Sequence, residues 1–304
     1  MIYAVVLLIE VVASVIAFQD DCIGVNKRFL FHPVDEDILR EHCIYLSNEI
    51  PRRKWTASFS TALILNDIAP FTVLTENPFV EKNRRKTFTQ YLQYILKTSN
   101  CDTVECISRE LNTRIWSVRR PAIIFEPAAP NQLNSYSVNE TWTRGNGSCT
   151  SMSVFLITGL RLLGVPARIA GTPHWNLGPQ KCPLGDASDA CGNHNWVEVF
   201  VPGKGWSFID QRRPDQVVLP LNHSWFYPEW TRGVSRSNQG NHSIYTASFI
   251  PLTELDRDTY PAGTAVLPAD HFPLAWDWRN YHMPAWDVSE SYQQNSFGLE
   301  VKYV

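Results

Sequence analysis

Long apolar runs are scarce in this 304-residue sequence. After residue 17 nothing is both long and apolar enough to cross a bilayer. Charge of one sign is not concentrated either: 27 Lys and Arg stand against 30 Asp and Glu, for a net charge of −3. The densest positive patches, Arg52-Arg53-Lys54 and Lys82 to Lys86, are short and read as solvated faces. A nucleic-acid partner is therefore not expected. No internal repeat or low-complexity tract organises the chain. Length alone allows one large domain or two modest ones. What is present suits a globular protein: 44% apolar residues, 19% charged residues and eleven tryptophans for a core.

The one apolar run is at the start, MIYAVVLLIEVVASVIA, ending in Val15-Ile16-Ala17. It suits a signal peptide cleaved after Ala17 and hence a secreted protein with no stable membrane span. It has no basic leading region and Glu10 interrupts it, so a buried helix or a membrane anchor is the alternative. The cysteines fit export. There are seven, an odd number, which leaves one free thiol in a secreted chain. With Cys149 set aside, six remain and allow fifteen pairings. The local pairing is Cys22–Cys43, Cys101–Cys106 and Cys182–Cys191, and the alternative is that several are reduced and buried. Four sequons, at Asn139, Asn146, Asn222 and Asn241, fit a glycoprotein. Asn146 is expected to stay bare, because a glycan three residues before Cys149 would crowd a cleft.

Residues 18–120 form a mainly helical region. One helix is expected to start at Pro33. Phe88, Tyr91, Leu92, Ile95 and Leu96 follow the 3.6-residue period of a second. Asp102 and Glu105 make a capping-box-like pair for a third, with Val104, Ile107, Leu111 and Ile115 on one face. Pro121 to Thr141, with three prolines, reads as loop. Thr150 to Leu163 is a helix apolar nearly all round, which places it inside a core, and Gly164 stops it. Strands are expected at Ala167–Gly171, Asn195–Val201 and Trp206–Asp210, the last two joined by a turn at Pro202 to Gly205. Residues 121–252 are thus the core that carries the chemistry, and 253–304 are a Pro- and Trp-rich extension. There Trp276, Trp278 and Trp286 either line a cleft or pack on the core.

Cys149 follows Gly147-Ser148 and opens the apolar helix. The positive end of a helix dipole and its free N–H groups favour thiolate over thiol, and thiolate is the nucleophile. The same N–H groups suit an oxyanion. A cysteine alone at such a place is more often a plain buried thiol. His194, in Asn193-His194-Asn195-Trp196, starts one strand, and Asp210 ends the next. A carboxylate beside the imidazole would orient it and stabilise its protonated form. Register tests whether they meet. A two-residue turn would put Asp210 opposite Val197, with His194 on the other face. A three-residue loop centred on Gly203 puts Asp210 opposite Trp196 and makes His194 its same-face diagonal neighbour.

Gly-Ser-Cys149 before an apolar helix, then Leu163-Gly-Val-Pro-Ala-Arg168, His194-Asn-Trp-Val-Glu-Val and Trp206-Ser-Phe-Ile-Asp210 together resemble the transglutaminase-like superfamily. Asn66-Asp-Ile-Ala-Pro70 is similar to segments of its bacterial secreted members. The resemblance implies an α+β fold with a papain/transglutaminase-like core, the nucleophile at the N-terminus of a buried helix packed on an antiparallel sheet. It also implies a Cys149-His194-Asp210 triad working through an acyl-thioester on a protein or peptide amide, with release to water or to an amine and no cofactor or metal. Trp142 and Trp116 are candidates for a second oxyanion donor. The enlarged loop with Cys182 and Cys191 departs from the family, and the flanking β-sandwiches and calcium sites of the animal enzymes have no counterpart here. Three other readings stand beside this one: a non-catalytic binding or structural module, a metal site of Cys182, Cys191, His174 and His194, and a glycan-cleaving role by analogy with peptide N-glycanase.

Overall fold

The computed structural model describes residues 17–28, 30, 32–126, 137–172, 194–211, 220–223, 244–247, 249, 265–267, 285–288 and 291–292. Residues 1–16, which hold most of the expected signal peptide, residues 173–193 with His174, Cys182 and Cys191, the sequon at Asn241, and Trp276 and Trp278 lie outside them.

Helix α1 runs through residues 17–28 and α2 spans Glu36–Glu49. The helix expected at Pro33 starts three residues later because Asp35 caps it, its carboxylate accepting the Asp37 N–H at 2.9 Å. A disulfide, Cys22–Cys43, joins α1 to α2 within a cluster that includes Leu46, Ile50 and Ile68. Helix α3 (Thr61–Asp67) is capped by Ser60. Helix α4 (Lys82–Ser99) buries Phe88, Leu92 and Ile95 along the expected stripe. Helix α5 (Val104–Arg114) takes Thr103, not Asp102, as its cap: the Thr103 hydroxyl accepts the Cys106 N–H at 3.2 Å. Glu105 is therefore free of the expected box and meets Lys204 at 2.7 Å. Cys101–Cys106 closes the approach to α5.

The stretch read as loop holds strand β1 (Ile124–Phe125) and helix α6 (Val138–Arg144). A complete capping box starts α6, with Ser137 and Glu140 satisfying each other's backbone N–H groups. Strand β2 (Asn146–Gly147) pairs in parallel with β1 and delivers the chain to α7 (Cys149–Leu162). Almost every residue of α7 is buried, as its all-round apolar pattern demands. A Cβ on Gly159 would stand 2.7 Å from Ile115 Cδ1 and 3.2 Å from Leu111 Cδ2, so this glycine lets α5 approach closely. Gly164, at φ +73°, reverses the chain, and Val165 N–H bonds back to Leu160 O at 3.0 Å. Arg161, the one charge of α7, is 3% exposed and donates to the carbonyls of Ala167, Thr72 and Pro70.

Strands β3 (Ala167–Thr172), β4 (His194–Val201), β5 (Gly205–Ile209), β6 (Tyr245–Ala247), β7 (Ala265–Leu267) and β8 (Ala285–Asp287) form one antiparallel sheet in the order β5-β4-β3-β6-β8-β7. Successive strand residues face opposite sides. Ala167, Ile169, Val197, Val199 and Ile209 join the cluster of Leu92, Leu111 and Phe155, so α4, α5, α7 and the sheet share one core. On the other side Ala170, Trp196 and Phe208 pack with Leu63 of α3 and with Val288 and Tyr292. The fold is α+β, with α7 against an antiparallel sheet.

Candidate active site

Cys149 is the first residue of α7. Ser148 caps the helix, its hydroxyl accepting the Ser151 N–H, and Cys149 is half-buried at the start of the buried helix. His194 opens β4 and is 5% exposed. The β4–β5 register pairs Val201 with Gly205 and Val197 with Ile209. The connection is thus the three-residue loop centred on Gly203, whose φ of +77° suits glycine. Asp210 then follows opposite Trp196, diagonal to His194. His194 Nε2 lies 3.0 Å from Asp210 Oδ1, and both side chains are at least 92% buried.

The Cys149 thiol acts electrostatically on the same imidazole, and the imidazole on the thiol. The electrostatics of the pair oppose burial. Burial pushes the His194 pKa down, but the Asp210 charge and hydrogen bond, with those of Cys149, carry it up from 6.5 to about 9. Burial pushes the Cys149 thiol up, but the hydrogen bond and charge of His194, the Asn195 backbone and the Thr150 hydroxyl bring it below its ordinary value. Both shifts favour a thiolate–imidazolium pair.

Residues that the motifs did not single out hold these three groups in place. Gln211, directly after Asp210, donates its side-chain amide to Cys149 O at 3.2 Å, to Asn195 O at 2.9 Å and to Ser153 Oγ. Asn195 donates to Thr150 Oγ1 at 2.8 Å, tying β4 to the first turn of α7. Asn112, on α5, donates to the Asp210 carbonyl at 2.7 Å. Adjacency to a triad position was a signal for Gln211 and Asn195. For Asn112, 98 residues from its partner, there was none. Trp196 stacks beside His194 at 5.9 Å between centroids, and its indole N–H goes to Tyr292 Oη at 2.8 Å.

The two tryptophans considered as oxyanion donors are packed elsewhere. Trp116 gives its N–H to Asn112 O at 2.7 Å, and both Trp116 and Trp142 pack on Phe155. The Asn146 side chain bonds Glu126. Among the described residues no group of His, Cys, Asp and Glu is arranged to hold a metal, and no helix is long and apolar enough to cross a membrane. The metal reading rested on Cys182, Cys191 and His174, which lie outside the described residues.

A family model, that of the transglutaminase-like superfamily, matches residues 90–211, the stretch that holds all three candidate residues. No curated protein matches. Among solved structures, a putative cysteine protease from Cytophaga hutchinsonii is 17% identical, over 43% of this chain and 38% of that one, with a TM-score of 0.29. The periplasmic domain of TgpA from Pseudomonas aeruginosa, bound to ethylmercury, is 18% identical, over 56% and 52%, with a TM-score of 0.31. Red sea bream transglutaminase is 15% identical, over 77% and 46%, with a TM-score of 0.35. This chain therefore spans about half or less of each of those chains.

Proposed function

We propose that this chain is a thiol enzyme that transfers the acyl group of a protein or peptide amide to water or to an amine. The observation that carries the reading is the buried His194–Asp210 contact at 3.0 Å, with the Cys149 thiol, at the N-terminus of a buried helix, under the influence of the same imidazole. The Cys149 thiolate attacks the carbonyl carbon, forming a C–S bond and an oxyanion. The Cys149 backbone N–H, in the first turn of α7 where no helical acceptor serves it, is a donor for that oxygen. His194 gives its proton to the departing amine as the C–N bond breaks, leaving a thioester. Water or an amine then gives its proton to His194 and displaces the sulfur, so an acid or a new amide leaves and the ion pair returns. Asp210 keeps the imidazole oriented and protonated in the resting state. No step calls for a cofactor. Two disulfides and a single free cysteine among the described residues support a site of action in an oxidising compartment, consistent with secretion.

The test is iodoacetamide labelling of the folded, secreted protein, mapped by mass spectrometry across pH. It is joined to an assay of a glutamine-bearing protein with and without a labelled amine. Fast labelling of Cys149 that persists below pH 7 and slows in His194→Ala, with amide turnover lost in Cys149→Ala, is the expected result. Incorporation of the amine assigns transfer, and release of ammonia or peptide alone assigns hydrolysis. A Cys149 that reacts no faster than an ordinary thiol, or is disulfide-bonded, overturns the reading in favour of a binding module.

A further inference from the structure

A cavity of about 370 Å³ lies at the end of α7 remote from Cys149. Thr158, Arg161 and Leu162 of the last turn form its floor, roughly 14–20 Å along the helix from the thiol at 1.5 Å per residue. Its size falls in the range of small-molecule sites, about 300–1,000 Å³. The remaining walls come from α2, α4 and residues 70–79.

The chemistry of the walls is divided. Phe71, Val73, Phe79 and Leu162 make the interior apolar. His42 does not disturb this: burial and the charge of Arg85 hold its pKa down at about 3, so it is a neutral ring, edge-on to Phe71 and bonded to Ala69 O. The rim is cationic. Lys82, Arg85 and Lys86 fall at i, i+3 and i+4 and share one side of α4. Glu41 is the one carboxylate among the lining residues, and it stands 3.9 Å from Lys82. Arg161 is already committed to three backbone carbonyls. Arg85 is different. Its guanidinium lies over Phe71 at 5.0 Å from the ring centroid, and the one carboxylate that acts on it, Glu41, stays beyond ion-pair distance. A partly buried guanidinium on an aromatic face, at the mouth of an apolar cavity, is built to receive an anion.

We propose that this cavity binds an anionic single-chain amphiphile, with the head group at Arg85 and Lys86 and the chain among Phe71, Val73 and Leu162. Two observations select this class. The apolar interior gives a purely polar anion no reason to enter, because nothing there replaces its water. The excess of cations over the single Glu41 disfavours a cationic or neutral amphiphile relative to an anionic one. A carboxylate and a phosphate head share this chemistry, and the probes separate them.

The experiment is calorimetric titration of the full chain, below micelle-forming concentrations, with decanoate, decyl phosphate, decanol and decylamine. Saturable one-site binding of decanoate or decyl phosphate, about tenfold or more tighter than decanol and decylamine, is expected from one charge-assisted contact. The stronger of the two anions identifies the head group. Lys86→Glu, at an exposed position where the fold tolerates change, should weaken the anion about tenfold and leave decanol unchanged. Thr89→Trp, which fills the cavity from α4, should abolish binding of every probe, while Cys149 labelling shows that the rest of the fold is intact. Equal affinity for anion, alcohol and amine overturns the proposal. So do absence of saturable binding by either anion, and Thr89→Trp binding as the unaltered chain does.

Discussion

Replacing Asp210 with asparagine tests the electrostatic core of the site, because it keeps the shape and removes the charge. Asp210 supplies the largest of the effects that raise His194, opposing burial, which alone would lower it. The rise from 6.5 to about 9 corresponds to about 3 kcal/mol of preference for imidazolium. At pH 8 the native ring is therefore about nine-tenths protonated, and a ring returned to its ordinary value would be protonated only a few per cent of the time. The thiolate loses its partner to the same degree. Iodoacetamide labelling of Cys149 at pH 8 should fall by up to roughly thirtyfold in Asp210→Asn, the factor by which the imidazolium partner is lost. The acid midpoint of labelling should move upward, and the alkaline limb of any amide turnover should move from near pH 9 toward neutrality. The two midpoints belong to the coupled pair and not to either residue alone, so both must move together. Thermal melting establishes that the variant is folded. An unchanged labelling midpoint in a folded Asp210→Asn protein would refute the reasoning.

Other outcomes follow from buried groups. His42 is held neutral with a pKa near 3, so the unfolded chain binds the extra proton between pH 6.5 and 3. Its contribution is present in full above 6.5 and is lost as pH falls through that window, on the order of 5 kcal/mol. His42→Gln should flatten that part of the acid limb in chemical denaturation at a series of pH values. Arg168 and Glu198, each 4% exposed and 2.6 Å apart, should cost about 3–5 kcal/mol when either is truncated alone. The double variant should cost less than the sum, as measured in urea. Opening Cys22–Cys43, which spans 21 residues, should cost about 3 kcal/mol, and opening Cys101–Cys106, which spans 5, about 2 kcal/mol. Melting of the Cys→Ser pairs checks that order.

Local patterns made much of the core legible. The all-apolar helix from residue 150, the glycine that ends it and the alternation through Trp196, Val197 and Val199 each declare themselves within a dozen residues. The register of β4 and β5 was readable only in part: His194 and Asp210 share a face with an odd loop or a bulge, and the structure uses the three-residue loop centred on Gly203. Helix α6 was obscured, although its capping box was written in Ser137 and Glu140, because three nearby prolines outweighed seven helical residues. Strands β6, β7 and β8, three residues each, are too short to carry a period. The contacts of Gln211 with Ser153 and of Asn112 with Asp210 span 58 and 98 residues. They exist only once the helices and the sheet have met, so no window of sequence contains them.

Those long-range contacts explain how an aspartate at the very end of a strand can be held for work. Asp210 lies just beyond the last β4–β5 pair, where a ladder ordinarily frays. Its carbonyl is fixed by Asn112 from α5, and the next residue, Gln211, grips the Cys149 carbonyl and the Asn195 carbonyl together. The carboxylate is thereby anchored on both sides to the two elements that carry the thiol and the imidazole. A slip of one residue at the Gly203 loop would turn Asp210 to the opposite face. It would also carry Gln211 away from α7, leaving its buried carbonyl and hydroxyl partners unsatisfied at about 1–3 kcal/mol each. The register that brings Asp210 to His194 is therefore also the one that ties the sheet to the helix of Cys149, so the geometry of the site and the stability of the core select the same loop.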